Sequence, residues 1–246
     1  MAKSTTDSIR VVFTQGGKGG VGKTEIAVNL ATWYRRQGVE PKLIDFDAEN
    51  TDKSSLQGFM PEAMKFDLHQ PGALDHFFEA CESDHGVVLA DMGAGAGAAT
   101  YEWFERMFED AQAMNMRFTA IGVATNDPGA VVSILRWAEH LRNRVDYLVV
   151  LNEMRSSDAK FEYWHEDPDV RNFVSLAQPH VMQIDARISE FQTELRNREL
   201  TLEDVIAGKT DSPFFKKTMQ IVRARRYQRN LYLGFKNAED VLLANC

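Results

Sequence analysis

Short apolar runs alternate along the chain with stretches whose apolar residues recur three and four apart. Ile9–Phe13, Leu43-Ile44 with Phe46, Gly86–Ala90, Phe118–Ala124, Tyr147–Leu151 and His180–Ile184 are brief enough to be strands, and mostly too apolar to face water on either side. Thr24–Tyr34, Gly72–Cys81, Ala99–Met114 and Gly129–Leu141 carry helical spacing, and Gly38 ends the first of them. A polar helix follows the last strand, from Asp185 to Arg198. Strands alternating with helices predict an α/β fold, a doubly wound and mostly parallel sheet with right-handed crossovers. Ala48–Gly72 reads as a turn-rich connector, and Lys160–Val170 as an acidic loop carrying Phe161, Tyr163 and Trp164. The stripe Trp103, Phe104, Met107, Phe108 reads as core.

Length changes this picture little. The 246 residues suffice for one α/β domain spanning residues 1–246, and nothing in them demands a second. A net charge of −8 argues against a uniformly nucleic-acid-coating protein, so any such contact needs a local patch. Two cysteines, Cys81 and Cys246, make no disulfide framework and fit a reducing cytoplasm. The six histidines show no metal-ligand spacing. The polar N-terminal segment lacks a signal peptide's apolar centre, and no apolar run has membrane-spanning length.

The chemistry starts after the first strand. Gly17 to Thr24 satisfies G-x-x-x-x-G-K-[ST] between a strand and a helix, the context that a P-loop requires. Gly17, Lys18, Gly19, Gly20, Val21, Gly22, Lys23, Thr24 and Glu25 are the candidate nucleotide cradle. Its glycines curl backbone N–H groups around phosphates at the positive end of a helix. In such a loop Lys23 reaches the β- and γ-phosphates, and the Thr24 hydroxyl ligates Mg2+. Asp45 and Asp47 leave the second strand on one face, where ligands bind in a parallel sheet. They are candidates for the Mg2+ shell and an attacking water. Gly86–Asp91 has the Walker B form, an apolar strand ending in a carboxylate for Mg2+. The glycines of Met92–Gly97 allow close approach to a phosphate.

The second lysine in the loop, Lys18 in K-G-G-V-G-K-T, resembles the deviant Walker A motif of the ParA/MinD family of dimeric ATPases. D-x-D at Asp45–Asp47, the loop after Asp91, and T-N-x-P at Thr125–Pro128 resemble that family's switch I, switch II and a MinD-type turn. Gly93 stands where many members have proline. The resemblance implies ATP and Mg2+ as cofactors and an ATP-dependent homodimer in which Lys18 reaches the partner's nucleotide. It also implies that Asp47 positions the water, that Asn152 meets the purine edge, and that Ile184 and Asp185 wrap the adenine by backbone contacts. Lys18, Lys23 and Asp47 are then the catalytic candidates, with Thr24, Asp45 and Asp91 around the metal. The family usually has N-R or N-K where this chain has Asn152-Glu153.

Ser212-Pro213 begins a last helix, about residues 213–233, with Phe214, Phe215, Met219 and Val222 expected against the body. Lys216, Lys217, Arg223, Arg225, Arg226 and Arg229 crowd it, and Arg225, Arg226 and Arg229 break the apolar stripe. The basic half is therefore expected to project, either as a DNA-binding patch or as a solvated helix end. A membrane anchor fits less well, because the tail Asn237–Cys246 carries acids and only a small apolar face. The expected function is a switch that positions or partitions DNA or other cargo, or assists plasmid transfer, with nonspecific DNA and an activating or adaptor protein as partners. The alternative is a metabolic ATP-dependent carboxylate ligase of the dethiobiotin synthetase type.

Overall fold

The structure is a computed structural model that describes residues 8–15, 17–46, 55–67, 70, 72–82, 86–154 and 160–244. Among these residues, seven strands form one all-parallel sheet in the order β3-β2-β4-β1-β5-β6-β7. The strands are β1 (Ile9–Thr14), β2 (Lys42–Asp45), β3 (Met64–Lys65), β4 (Val87–Asp91), β5 (Met116–Ala124), β6 (Asp146–Asn152) and β7 (His180–Ile184). The order reverses at β1, so the chain leaving its C-terminal end opens onto the crevice where α/β sheets bind ligands.

Both faces of the sheet are covered, which is why its central strands are mostly apolar. Val12, Leu148, Val150 and Met182 face one layer, formed by α1 (Lys23–Arg36), α2 (Leu56–Phe59), α8 (Ser189–Asn197), α9 (Leu202–Ile206), α10 (Thr218–Asn237) and α11 (Glu239–Leu242). Val11, Phe13, Tyr147 and Val149 face the other, formed by α3 (Ala73–Cys81), α4 (Ala98–Ala113), α5 (Pro128–Leu141), α6 (Glu162–Glu166) and α7 (Pro168–Ala177). Trp103 and Phe104 are buried there as expected, with Met107 and Phe108 packed beside them.

Three expectations need correction. The Ala48–Gly72 connector contains α2 and the edge strand β3, which pairs Ile44 with Met64. The acidic stretch from Lys160 is helical, because Phe161 and Trp164 are buried and Asp167 caps α7 by accepting from Asp169 and Val170 N–H groups. The basic helix, α10, begins at Thr218, and its basic half does not project. Ala224, Leu231 and Phe235 set its inward face along its length, while Met219 and Val222 are 60% and 52% exposed. At 100° per residue Arg226 and Arg229 fall opposite that inward face and share the solvent side with Leu233.

The C-terminal segment seals the sheet's lower end. Buried Arg10 pairs with Asp146 at 2.6 Å and donates to the Asp240 and Leu243 carbonyls, while the Tyr34 hydroxyl donates to the Leu242 carbonyl.

Candidate functional site

The loop between β1 and α1 turns by left-handed backbone at Gly17, Gly20 and Gly22, with φ of 110°, 73° and 101°. A side chain at Gly17 would strain the left-handed backbone, and its Cβ would stand 2.0 Å from the Ser133 hydroxyl oxygen, which would have to move. Its N–H donates to the Ala94 carbonyl, tying the phosphate loop to the loop after β4. Gly17→Ala is therefore expected to cost about 2 kcal/mol in backbone strain, a fall of roughly 4–8 °C in melting temperature for a chain of this size. Calorimetry checks this, and an unshifted melt would mean that the loop accepts the side chain.

Lys23 opens α1, and its ammonium donates to the Lys18 carbonyl at 2.9 Å within the loop. Lys18 points out of the loop to Asp127, 2.9 Å away, with both side chains nearly half exposed. Asp127 also caps α5 by accepting from the Gly129 N–H, and Lys18 holds its carboxyl below the ordinary aspartate range. The sequence reading missed Asp127, since only the fold brings the T-N-x-P turn against the loop.

Two buried carboxylates lie below. Asp45 and Asp91 occupy paired positions on β2 and β4, and both are essentially inaccessible. Asp45 accepts from the Gln57 N–H. Asp91 accepts from the Thr14 hydroxyl at 2.8 Å through one oxygen, while its other oxygen has no hydrogen-bond partner among the described residues. Burial pushes its pKa up to about 6, opposed by the neighbouring Thr24 and Thr14 hydroxyls and by Lys23's charge, while Asp45's charge raises it further. An orphaned buried carboxylate oxygen beside Thr24 and a second acid fits a hard divalent cation, which takes few protein oxygens and completes its shell with water and phosphate. Among the described residues no cluster of three or more His, Cys, Asp or Glu competes for that role. Asp47 lies outside the described residues.

A cleft of about 370 Å³ extends from Gly22, Lys23 and Thr24 past Glu25 to Met154, Gln192 and Arg196. Asn152 sits beneath it, 1% exposed, and its amide donates to the Val21 carbonyl at 2.8 Å. Here its nitrogen braces the phosphate loop. The Ile184 carbonyl accepts from the Glu153 N–H, joining the ends of β6 and β7. Asp185 is exposed and lies 3.8 Å from Arg226.

Comparison with known families matches residues 12–236 to the CobQ/CobB/MinD/ParA nucleotide binding domain. The chain belongs to this family. It is a P-loop nucleotide-binding domain of ParA/MinD type. Among solved structures it is similar to the MinD cell division protein of Aquifex aeolicus, with 12% identity, a TM-score of 0.53, and 95% of this chain and 97% of that one covered. A second similar structure is cobyrinic acid a,c-diamide synthase of Mycobacterium smegmatis, with 14% identity, a TM-score of 0.45, and 83% and 98% covered. Comparison with curated protein sequences finds no match. No helix among the described residues is long and apolar enough to cross a membrane.

Proposed function

We propose that the protein is an ATP-dependent dimerising ATPase of the cytoplasm, a switch whose slow hydrolysis times the positioning of DNA or another cargo, as in plasmid partition or transfer. The observation that carries this reading is Lys18, a second ammonium on the phosphate loop that faces away from its own loop toward an exposed carboxylate. An ion pair so open to solvent is screened by water and weak. A triphosphate on a facing protomer can therefore outcompete Asp127 for the lysine.

In this reading Lys23 and the N–H groups from Gly17 to Glu25 bind the phosphates, and Thr24, Asp45 and Asp91 hold Mg2+. When bound, the metal neutralises charge developing on the transferred phosphoryl group. Asp47 orients the attacking water, and Lys18 from the partner stabilises charge on the phosphates. Asn152, Ile184 and Asp185 border the base. Together these roles make residues 1–246 one ATPase domain.

The solvent side of α10 supports a polyanion as partner, because Arg226 and Arg229 are exposed there, Arg225 and Arg223 lie at its two flanks, and Lys216 and Lys217 are exposed just before its first turn. Reversing Arg225, Arg226 and Arg229 to glutamate is expected to abolish retention of nonspecific duplex DNA in a filter assay, since phosphate contacts supply such binding. Unchanged retention would remove the helix from the account.

The experiment that tests the function is a series of ATPase rates and molar masses, with and without nonspecific DNA. A DNA-stimulated, ATP-dependent dimer is the expected result. Stimulation by a small carboxylate in a permanent monomer would favour a metabolic ligase instead.

A further inference from the structure

Arg187 follows β7 in the segment that leads to α8, and its side chain is 3% exposed. It forms an ion pair with Glu25 in the first turn of α1 and lies 5.8 Å over the Tyr227 ring. Burial pulls its pKa down to about 10. A cation this deep is costly unless a counter-charge accompanies it. The nearby Asp185 is turned to Arg226 on the surface, and among the described residues the ion pair of Arg187 is with Glu25.

Glu25 has a second neighbourhood. It lines the same cleft as Gly22, Lys23 and Thr24, and its other carboxylate oxygen lies 3.8 Å from where a Gly22 Cβ would stand. The positive end of α1 is suited to phosphate, so a bare carboxylate at this position would repel the ligand the loop is built for.

We infer that Arg187 is a positioning residue for nucleotide: it neutralises Glu25, holds that carboxylate off the phosphates, and so sets ATP affinity. The inference rests on the nucleotide-site reading above. It differs from a simple strut between α1 and the β7–α8 segment in the sign of what each substitution does. As a strut, the pair would matter equally from both ends, and losing either side chain would loosen the cleft and weaken ATP. As a charge balance, losing Arg187 exposes the phosphates to a carboxylate, whereas losing Glu25 leaves a cation in its place.

The test is calorimetric titration of Mg-ATP into the parent, Arg187→Met, Glu25→Gln and the double variant, with thermal melts of each protein alone. Arg187→Met is expected to weaken ATP roughly tenfold, the scale of one unit charge acting across a partly hydrated cleft. Glu25→Gln binds at least as tightly as the parent, and the double variant returns to within about threefold of it, because nothing is left to neutralise. Weaker binding by Glu25→Gln, or a double variant no better than Arg187→Met, would overturn the inference and leave the proposed function standing. Should Arg187→Met fail to fold, the direction of the Glu25→Gln change alone decides. A parent that binds no ATP would overturn both.

Discussion

Lys23→Ala is expected to weaken ATP binding at least a hundredfold while leaving the fold in place. The side chain is exposed enough to reach a ligand, and its ammonium donates to the Lys18 carbonyl within the loop. Its charge also acts on buried Asp91, whose pKa its removal raises further. What is lost is a charge-assisted contact with phosphate at a partly enclosed helix end, where glycine N–H groups remain but no ammonium does. Charge-assisted hydrogen bonds are about twice as strong as neutral ones. Two of them at about 1.5 kcal/mol each amount to a hundredfold in affinity. Titration of Mg-ATP followed by calorimetry reads the change, and circular dichroism with a thermal melt shows that the protein is otherwise intact. Binding within threefold of the parent would place the triphosphate away from this loop.

The same residue illustrates what could be read from the chain before its fold. Lys18, Lys23, Thr24 and Asp91 lie in contiguous patterns where local geometry follows from sequence: left-handed glycines close the loop, and an apolar strand carries Asp91 to its end. Most of the sheet was equally legible, since its central strands are short and mostly apolar, but the two-residue edge strand β3 was not. Phe161 and Trp164 were not, because their burial depends on α5 and α7 arriving from elsewhere, and the acids around them, Glu162, Glu166, Asp167 and Asp169, read as loop. The register of α10 failed for a related reason. Met219 and Val222 look like an inward face beside Phe214 and Phe215, but Ala224, a small residue, marks where the helix packs closely. Gly234 extends that seam, since a Cβ there would stand 2.3 Å from the Met182 methyl carbon. Asp127 and Arg187 were invisible in a different way: each has a partner more than a hundred residues away, and a lone acid in a turn or a lone arginine after a strand carries no local pattern.

Lys18→Ala should separate binding from catalysis. Its ammonium turns outward to Asp127, so a single protomer is expected to bind ATP within a few-fold of the parent without it. What disappears is the cation brought by the second protomer, with two consequences. ATP no longer holds the dimer together, because two facing triphosphates repel unless each meets a charge from the other side. Hydrolysis falls by roughly a thousandfold or more, the range for a cation supplied in trans during phosphoryl transfer. Light scattering with ATP present reads the first effect and phosphate release the second. A variant that still dimerises and hydrolyses would make Lys18 a solvated side chain. One that loses ATP as severely as Lys23→Ala would make it a phosphate ligand within its own protomer. Mixing the two variants presses the point further. A Lys18→Ala protomer keeps its nucleotide, and a Lys23→Ala protomer keeps the lysine that nucleotide needs. Recovery of hydrolysis in the mixture, where each variant alone is inactive, requires the two ammonium groups on one triphosphate to come from different chains.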